Sequence, residues 1–364
     1  MRNLLLLSEP FGGGHTKAAE ATAALFPSWN CRVVELASYL DPILAKHISK
    51  GYLKTVQMAP WLWRKIYSGQ PTEAAFISYI YRKKYGSKLA TLLFQTKPDL
   101  IITTHPFPAL AISSLRKYNV HIPLIGIVTD FHVHSSWSLG QWDVLCIPSE
   151  EKPDWLQSTK RLVLPTGIPV APDFKMKQPK AIAKKLLQLN EQKPVVLWMG
   201  GSEGICNNME WIAPIQKDQD TQWIFVTGHN QSLYHHLKSR FEHFNHIKVY
   251  GYVDNITTLM DASDLLISKA GGITCSEAIH KELPIVLIPG LPGQEEENCS
   301  FLLRHGLAVT TTTTDILSTV HRILCQPNLH SHTLINMKRY KRSIESNRLS
   351  FICEALASER KVGT

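Results

Sequence analysis

Apolar residues recur along this chain as short continuous runs, separated by longer stretches of mixed character. The first half carries such runs at 3–8, 31–36, 99–103, 123–129, 143–147 and 162–164. The second half carries them at 194–199, 222–227, 246–250, 264–267, 284–288 and 307–309. Unbroken apolar runs of this length suit strands buried on both faces, and helical stretches between them predict parallel sheets covered on both sides. The pattern breaks at Leu164-Pro165-Thr166-Gly167-Ile168-Pro169-Val170-Ala171-Pro172. Three prolines and a glycine there exclude a helix and an inner strand, so the segment reads as a linker. Each half opens alike: an apolar run, a cluster of glycines, then a helix. The fold class expected is α/β, a doubly wound Rossmann-like domain used twice. Ligands of such folds bind beyond the carboxyl ends of the strands, which makes a central cleft between the halves the default site. The tail 330–358 reads as one long basic helix after the last strand.

The length of 364 residues agrees with two domains. Apolar residues form 44% of the chain and charged residues 19%, which excludes a disordered protein. The net charge of +9 is concentrated: residues 41–90 hold nine bases against two acids, a local +7. Tyr52, Trp61, Trp63, Tyr67, Tyr79, Tyr81 and Tyr85 are interleaved with those bases. Basic and aromatic residues together suit a membrane interface, and no nucleic-acid motif accompanies them; a plain solvated helix pair is the alternative. The seven cysteines include no C-x-x-C pair, which excludes a zinc ribbon or a thioredoxin site and fits a reduced cytosolic protein. No apolar run approaches the roughly 18 residues of a spanning helix, and the four leucines at 4–7 are too few for a signal peptide. A cytoplasmic chain without its own anchor is expected.

Four segments carry candidate chemistry. Gly12-Gly13-Gly14-His15 lies between a strand and a helix, where glycines bring backbone N–H groups toward an anion or a substrate. It lacks the Gly-Lys-Thr/Ser of a Walker loop, and Lys17 stands where a dinucleotide fingerprint needs its third glycine. A tight strand-to-helix turn is the plain alternative. His15 at the first helical turn is placed to act as a general base. Asp130-Phe131-His132-Val133-His134 follows the run 123–129; on an extended segment its three polar side chains would share one side. That pattern suits a polar cluster in the cleft better than a metal site, and Thr104-His105-Pro106 ends the previous strand similarly. Ser268-Lys269-Ala270-Gly271-Gly272-Ile273-Thr274-Cys275-Ser276-Glu277 joins a strand to a helix whose free N–H groups suit a diphosphate, with Glu277 one turn beyond Thr274 for a ribose diol. A helix cap with a solvated Glu277 is the alternative. Pro289–Asn298 reads as a rigid loop whose Gln and Glu side chains can bond sugar hydroxyls, with an acid-rich helix N-terminus as the alternative. Asp218-Gln219-Asp220 matches the D-x-D of metal-dependent sugar transferases but reads as a solvated loop.

Together these residues resemble a known family. Gly200-Gly201-Ser202, Gly251–Asn255, Ser268–Glu277 and Gly293–Asn298 are similar to the donor domain of glycosyltransferase family 28. Gly12–His15, Thr104-His105-Pro106, Thr129-Asp130-Phe131 with His134 and Trp137, and Thr166–Pro169 resemble the acceptor domain of the monogalactosyldiacylglycerol synthase and processive diacylglycerol glucosyltransferase type. The resemblance implies two Rossmann-like domains of the GT-B type facing a cleft, with an acceptor domain at 1–165, a donor domain at 166–335 and a C-terminal helix at 336–364. It implies transfer of glucose or galactose from a UDP-sugar to 1,2-diacylglycerol with inversion, without cofactor or metal, at the inner face of the cell membrane. Gly200, Gly201, Ser202, Gly271 and Gly272 would face the diphosphate of the donor, Ser268, Lys269 and Thr274 would belong to the same donor site, and the backbone of Tyr252 and Val253 would read the uracil. Glu277 would take the ribose; Gln294 and Glu295 would take the hexose. Gly13, Gly14, His105, His134 and Trp137 would line the acceptor side. His15 is the expected base, with Asp130 in reserve. A UDP-GlcNAc transferase of peptidoglycan synthesis, a UDP-sugar epimerase and a catalytically silent binding protein are the competing readings.

Overall fold

The computed structural model describes residues 1–10, 13–47, 74–118, 121–204, 210–312, 314–344 and 346–362. Each apolar run becomes a strand. The first six are β1 (Asn3–Ser8), β2 (Asn30–Glu35), β3 (Leu100–Thr103), β4 (Leu124–Ile127), β5 (Val144–Ile147) and β6 (Leu162–Pro165). The second six are β7 (Val195–Met199), β8 (Gln222–Val226), β9 (Ile247–Tyr250), β10 (Leu265–Ser268), β11 (Ile285–Leu287) and β12 (Val309–Thr310). The chain divides into two units. One comprises Met1–Pro172, Pro292–Gln294 and Arg342–Thr364; the other comprises Asp173–Leu291 and Glu295–Lys341.

In the first unit the strand order is β2-β1-β3-β4-β5-β6, and every pairing is parallel. The two-residue period of a strand sorts its side chains between two cores. Leu5, Leu7, Ile101, Leu124 and Leu145 join one cluster. Leu4, Leu6, Leu100, Ile102, Ile125, Val144 and Cys146 join the other. The first face is covered partly by the helix Pro106–Ser113, apolar enough to be buried nearly throughout. Pro165 ends β6 at the sheet edge, where a missing N–H costs no ladder bond, so the linker begins as strand.

The other face closes from a distance. The tail read as one helix over 330–358 is two, Pro327–Ser343 and Ser346–Val362. Leu349, Cys353 and Ala357 of the last helix pack into the cluster of Leu4, Leu6 and Ile102. Their spacing of four residues puts them on one stripe of that helix.

The second unit repeats the plan with order β12-β11-β10-β7-β8-β9, again all parallel. Trp198, Trp223, Phe225 and Phe241 fill its core. Lys281 and Asp261 form a fully buried ion pair at 2.7 Å, and the ammonium also donates to the Met176 carbonyl at 2.6 Å. Asp218, expected in a solvated loop, is buried instead: its Oδ2 accepts from Trp223 Nε1 at 3.3 Å and lies 3.2 Å from His321 Nε2. Asp220 remains exposed.

Much of the basic stretch 41–90, expected to contact a membrane, lies outside the described residues, as does Gly12. Its last part belongs to the helix Ala74–Thr96. Among the described residues no helix is long and apolar enough to cross a membrane.

Candidate active site

The order of the first sheet reverses between β1 and β3, and the crevice at such a switch point lies beyond the strands' carboxyl ends. Gly13 precedes the helix Gly14–Ala23 with φ of 73°, a left-handed turn that favours glycine. That helix has neither a side-chain cap nor an acid in its first turn. His15 is therefore delivered to the ends of three strands. Its Nδ1 lies 2.9 Å from the Thr104 carbonyl beyond β3 and 2.9 Å from Thr129 Oγ1 beyond β4. Thr104 Oγ1 donates back to the His15 carbonyl at 2.9 Å. A carbonyl can only accept, so Nδ1 carries the proton and the lone pair falls on Nε2. Burial lowers the His15 pKa below its ordinary value, while the charge of Asp130 and the Thr104 bond act in the opposite direction. The imidazole is thus neutral at pH 7 and able to accept a proton.

The other expected acceptor-side residues divide. His105 packs edge-on against His15 with ring centroids 4.7 Å apart. Its Nδ1 accepts from Phe107 N, and burial holds it neutral, reinforced by His15 and His134. His134 Nδ1 accepts from Ser136 N and so caps a short 3-10 turn, Ser135–Leu139. Asp130–His132 is a bend, so the extended alternation expected for Asp130, His132 and His134 is not formed. Among the described residues no three His, Cys, Asp or Glu side chains are grouped to hold a metal ion. Trp137 is a core residue, 4% exposed, packed over Gly126 of β4, where a Cβ would come within 2.7 Å of the ring. Sequence reasoning passed over Glu9, which ends the same β1 loop region. It is fully buried; Oε2 accepts from Ala37 N, and Oε1 has no hydrogen-bond partner. Burial pushes its carboxyl up to about 8, the Ala37 bond offsets part of that, and nearby Glu35 adds to it.

In the second unit the order reverses between β7 and β10. Gly200 and Gly201 follow β7, and Ser268 to Gly272 close β10, so the expected diphosphate loops do meet. The Lys269 stem lies against Gly201: a Cβ there would stand 3.1 Å from Lys269 Cε. Ser268 is buried and donates to the Met199 carbonyl at 3.0 Å, which ties the two strand ends together. The helix Gly272–Lys281 has no side-chain cap and no acid in its first turn, whereas the helices Gln231–Arg240 and Ile256–Ala262 are capped by Asn230 and Asn255. A Cβ on Gly271 would meet nothing within 4 Å. The protein's own packing therefore does not demand that glycine, while an anion at the uncapped N–H groups needs the space. Thr274 and Glu277 lie one turn apart on this helix, both partly buried.

The structure adds a third loop to these. Gly228 after β8 has φ of 59°, and its Cβ would collide with the Ser202 carbonyl at 2.3 Å. His229 N donates to that carbonyl at 2.8 Å. The His229 ring then stacks on Tyr252, with centroids 4.3 Å apart and planes within 10°. Tyr252 is exposed and Val253 partly so, at the end of β9. The signal for His229 was present in the sequence: Thr227-Gly228-His229 is another glycine directly after an apolar run. Gln294 opens the helix Gln294–Arg304. Glu295, expected to reach the hexose, is engaged within its own unit: Oε1 pairs with Lys269 Nζ at 2.7 Å, and Oε2 accepts from Leu291 N at 2.6 Å.

Two parallel six-stranded sheets with glycine turns at both switch points make two Rossmann-like domains of the GT-B type. Comparison with known proteins agrees. Residues 15–170 match the monogalactosyldiacylglycerol (MGDG) synthase model, and residues 195–349 match the glycosyltransferase family 28 C-terminal domain. A processive diacylglycerol beta-glucosyltransferase of Bacillus cereus is 30% identical over 323 residues, covering 84% of this chain and 81% of the relative. The protein of the same name from Staphylococcus saprophyticus is 27% identical over 316 residues, covering 84% and 80%. Among solved structures, Acinetobacter baumannii MurG superposes with a TM-score of 0.62 at 13% identity, covering 98% of this chain and all of that one, a likeness of fold. The chain belongs to glycosyltransferase family 28, in the group of monogalactosyldiacylglycerol synthases and processive diacylglycerol glucosyltransferases.

Proposed function

We propose that the chain transfers a hexose from a UDP-sugar to the free hydroxyl of 1,2-diacylglycerol, with inversion at the anomeric carbon. The observation that carries this reading is His15, clamped through Nδ1 so that Nε2 holds the lone pair. A neutral alcohol is a poor nucleophile until a base takes its proton. In the proposed step Nε2 accepts that proton, the acceptor oxygen forms the bond to C1, and the bond from C1 to the UDP oxygen breaks with its electron pair leaving on UDP. The departing negative charge meets the uncapped N–H groups of the helix Gly272–Lys281. Glu277 takes the ribose, and the loop of Tyr252 and Val253 takes the base. We assign no metal to this chemistry, so addition of EDTA should leave the rate unchanged.

Diacylglycerol lies in a bilayer, and the net +7 of residues 41–90 supplies attraction to an anionic surface of about 1 kcal/mol per base near the membrane. We therefore place the protein on the cytoplasmic face of the membrane as a peripheral enzyme. The named relatives favour glucose over galactose. The decisive assay offers radiolabelled UDP-glucose, UDP-galactose and UDP-GlcNAc, each with and without diacylglycerol vesicles, and separates the lipid products. Labelled glycolipid from UDP-glucose is the expected result. Conversion of UDP-GlcNAc without lipid would instead make the chain an epimerase, and absence of labelled diacylglycerol product from every donor would overturn the proposal.

A further inference from the structure

Lys269 packs against one glycine turn of the second unit and stands two residues before the other. Its stem lies on Gly201, from which a Cβ would stand 3.8 Å from Nζ. Two residues on, Gly271 precedes an uncapped helix start. Lys269 is 16% exposed and pairs at 2.7 Å with Glu295, 11% exposed. Glu295 is held by more than this pair: Leu291 N donates to its other oxygen at 2.6 Å, and Gly290 packs against it so closely that a Cβ would lie 2.3 Å from Oε2. The carboxylate is thus anchored without the lysine, whereas the lysine stem is long and flexible and its ammonium can turn its three donors to another acceptor. A diphosphate at the helix start would bring two negative charges within reach of that ammonium, against the single charge of Glu295.

We propose that Lys269 is a transferable cation. In the structure it pairs with Glu295. In the donor complex it moves to the diphosphate of the UDP-sugar and stays there as the C1–O bond breaks, so that its attraction grows with the charge on the leaving UDP. The same move frees Glu295 Oε1 to accept a hydrogen bond from a hexose hydroxyl. One ion pair would thereby hold the hexose contact shut until a diphosphate arrives. This inference rests on the UDP-sugar reading of the site.

Calorimetry on the full chain tests it, with uridine and UDP as probes on the parent and on Lys269→Met, Lys269→Arg and Glu295→Gln. Lys269→Met should weaken UDP by about 10–100-fold, the range for one lost charged hydrogen bond, and change uridine less than about twofold. Lys269→Arg keeps the charge and should keep most of the UDP affinity, which guards against reading a folding defect as lost binding. Glu295→Gln should bind UDP as tightly as the parent or more tightly, yet turn over UDP-hexose more slowly. Equal loss of uridine and UDP in Lys269→Met, or no loss of either, would overturn the proposal. So would a loss of UDP affinity in Glu295→Gln matching that of Lys269→Met, because the pair would then be a fixed strut. If the parent itself fails to bind UDP, the donor reading fails and this inference falls with it; failure in the variants alone leaves that reading standing.

Discussion

His15 shows how far residue type and position go before geometry is needed. Its place after a strand and a glycine turn marked it as a candidate base, but the choice of nitrogen depends on Thr104 and Thr129, 89 and 114 positions away in sequence. Replacement His15→Ala should reduce turnover by about a hundredfold or more while UDP affinity changes little. Its lowered pKa also means that the acid limb of kcat/KM should fall below pH 6.5, the ordinary histidine value, if His15 is the base. A limb that persists unchanged in His15→Ala would transfer the role to Asp130. Glu277→Ala should weaken UDP by about 1.5–3 kcal/mol, the cost of losing a charged hydrogen bond, and calorimetry reads it directly. Glu9 makes a different prediction. Its carboxyl titrates near 8 in the native state against an ordinary 4.5. Below pH 4.5 it is protonated in both native and unfolded chains and adds no pH dependence. Between 4.5 and 8 the unfolded chain ionises first, so each rising pH unit removes about 1.4 kcal/mol of stability at most. Glu9→Gln is neutral throughout. Urea melts at pH 4, 6 and 8 should show it gaining on the parent as pH rises, and parallel curves would show that Glu9 is ionised in the native protein.

At the scale of elements, strand identity was readable because a buried parallel strand is a local run of apolar residues. The glycine turns were readable for a similar local reason, since their conformation is set within a few residues. The tail was not. A basic helix with an apolar stripe looks the same whichever sheet it covers, and no proline or glycine in the sequence announces that one helix ends at Ser343 and the next begins at Ser346. The structure places Leu349, Cys353 and Ala357 against Leu4, Leu6 and Ile102, so the last helix is part of the first unit's core. Leu349→Ala should therefore cost about 2–5 kcal/mol, as other buried leucines do, with a single lowered transition in thermal unfolding. A change below about 0.5 kcal/mol would mean that this helix is dispensable to the core.

At the scale of the whole molecule, charge distribution carries the remaining prediction. Exposed charges act over about 10 Å at 0.1 M salt, so binding to anionic vesicles should weaken as salt rises. Changing Arg82, Lys83 and Lys84 to Glu takes residues 41–90 from +7 to +1. Flotation with anionic vesicles should then show reduced binding and reduced glycolipid formation, with a smaller effect on a detergent-dispersed acceptor. Undiminished flotation would make the stretch a solvated face. The sequence by itself determined the two α/β units, their strands and the glycine turns that end them, because periodicity and turn chemistry act between near neighbours. Tertiary structure decided what depends on residues brought together from afar. It set the strand order that creates the two switch points and the nitrogen on which His15 holds its lone pair. It buried Trp137 and Asp218, and it paired Glu295 with Lys269 across 26 positions. Such contacts follow from which helix closes which face of a sheet, and burial energy, being non-directional, writes no local signature of that choice into the chain.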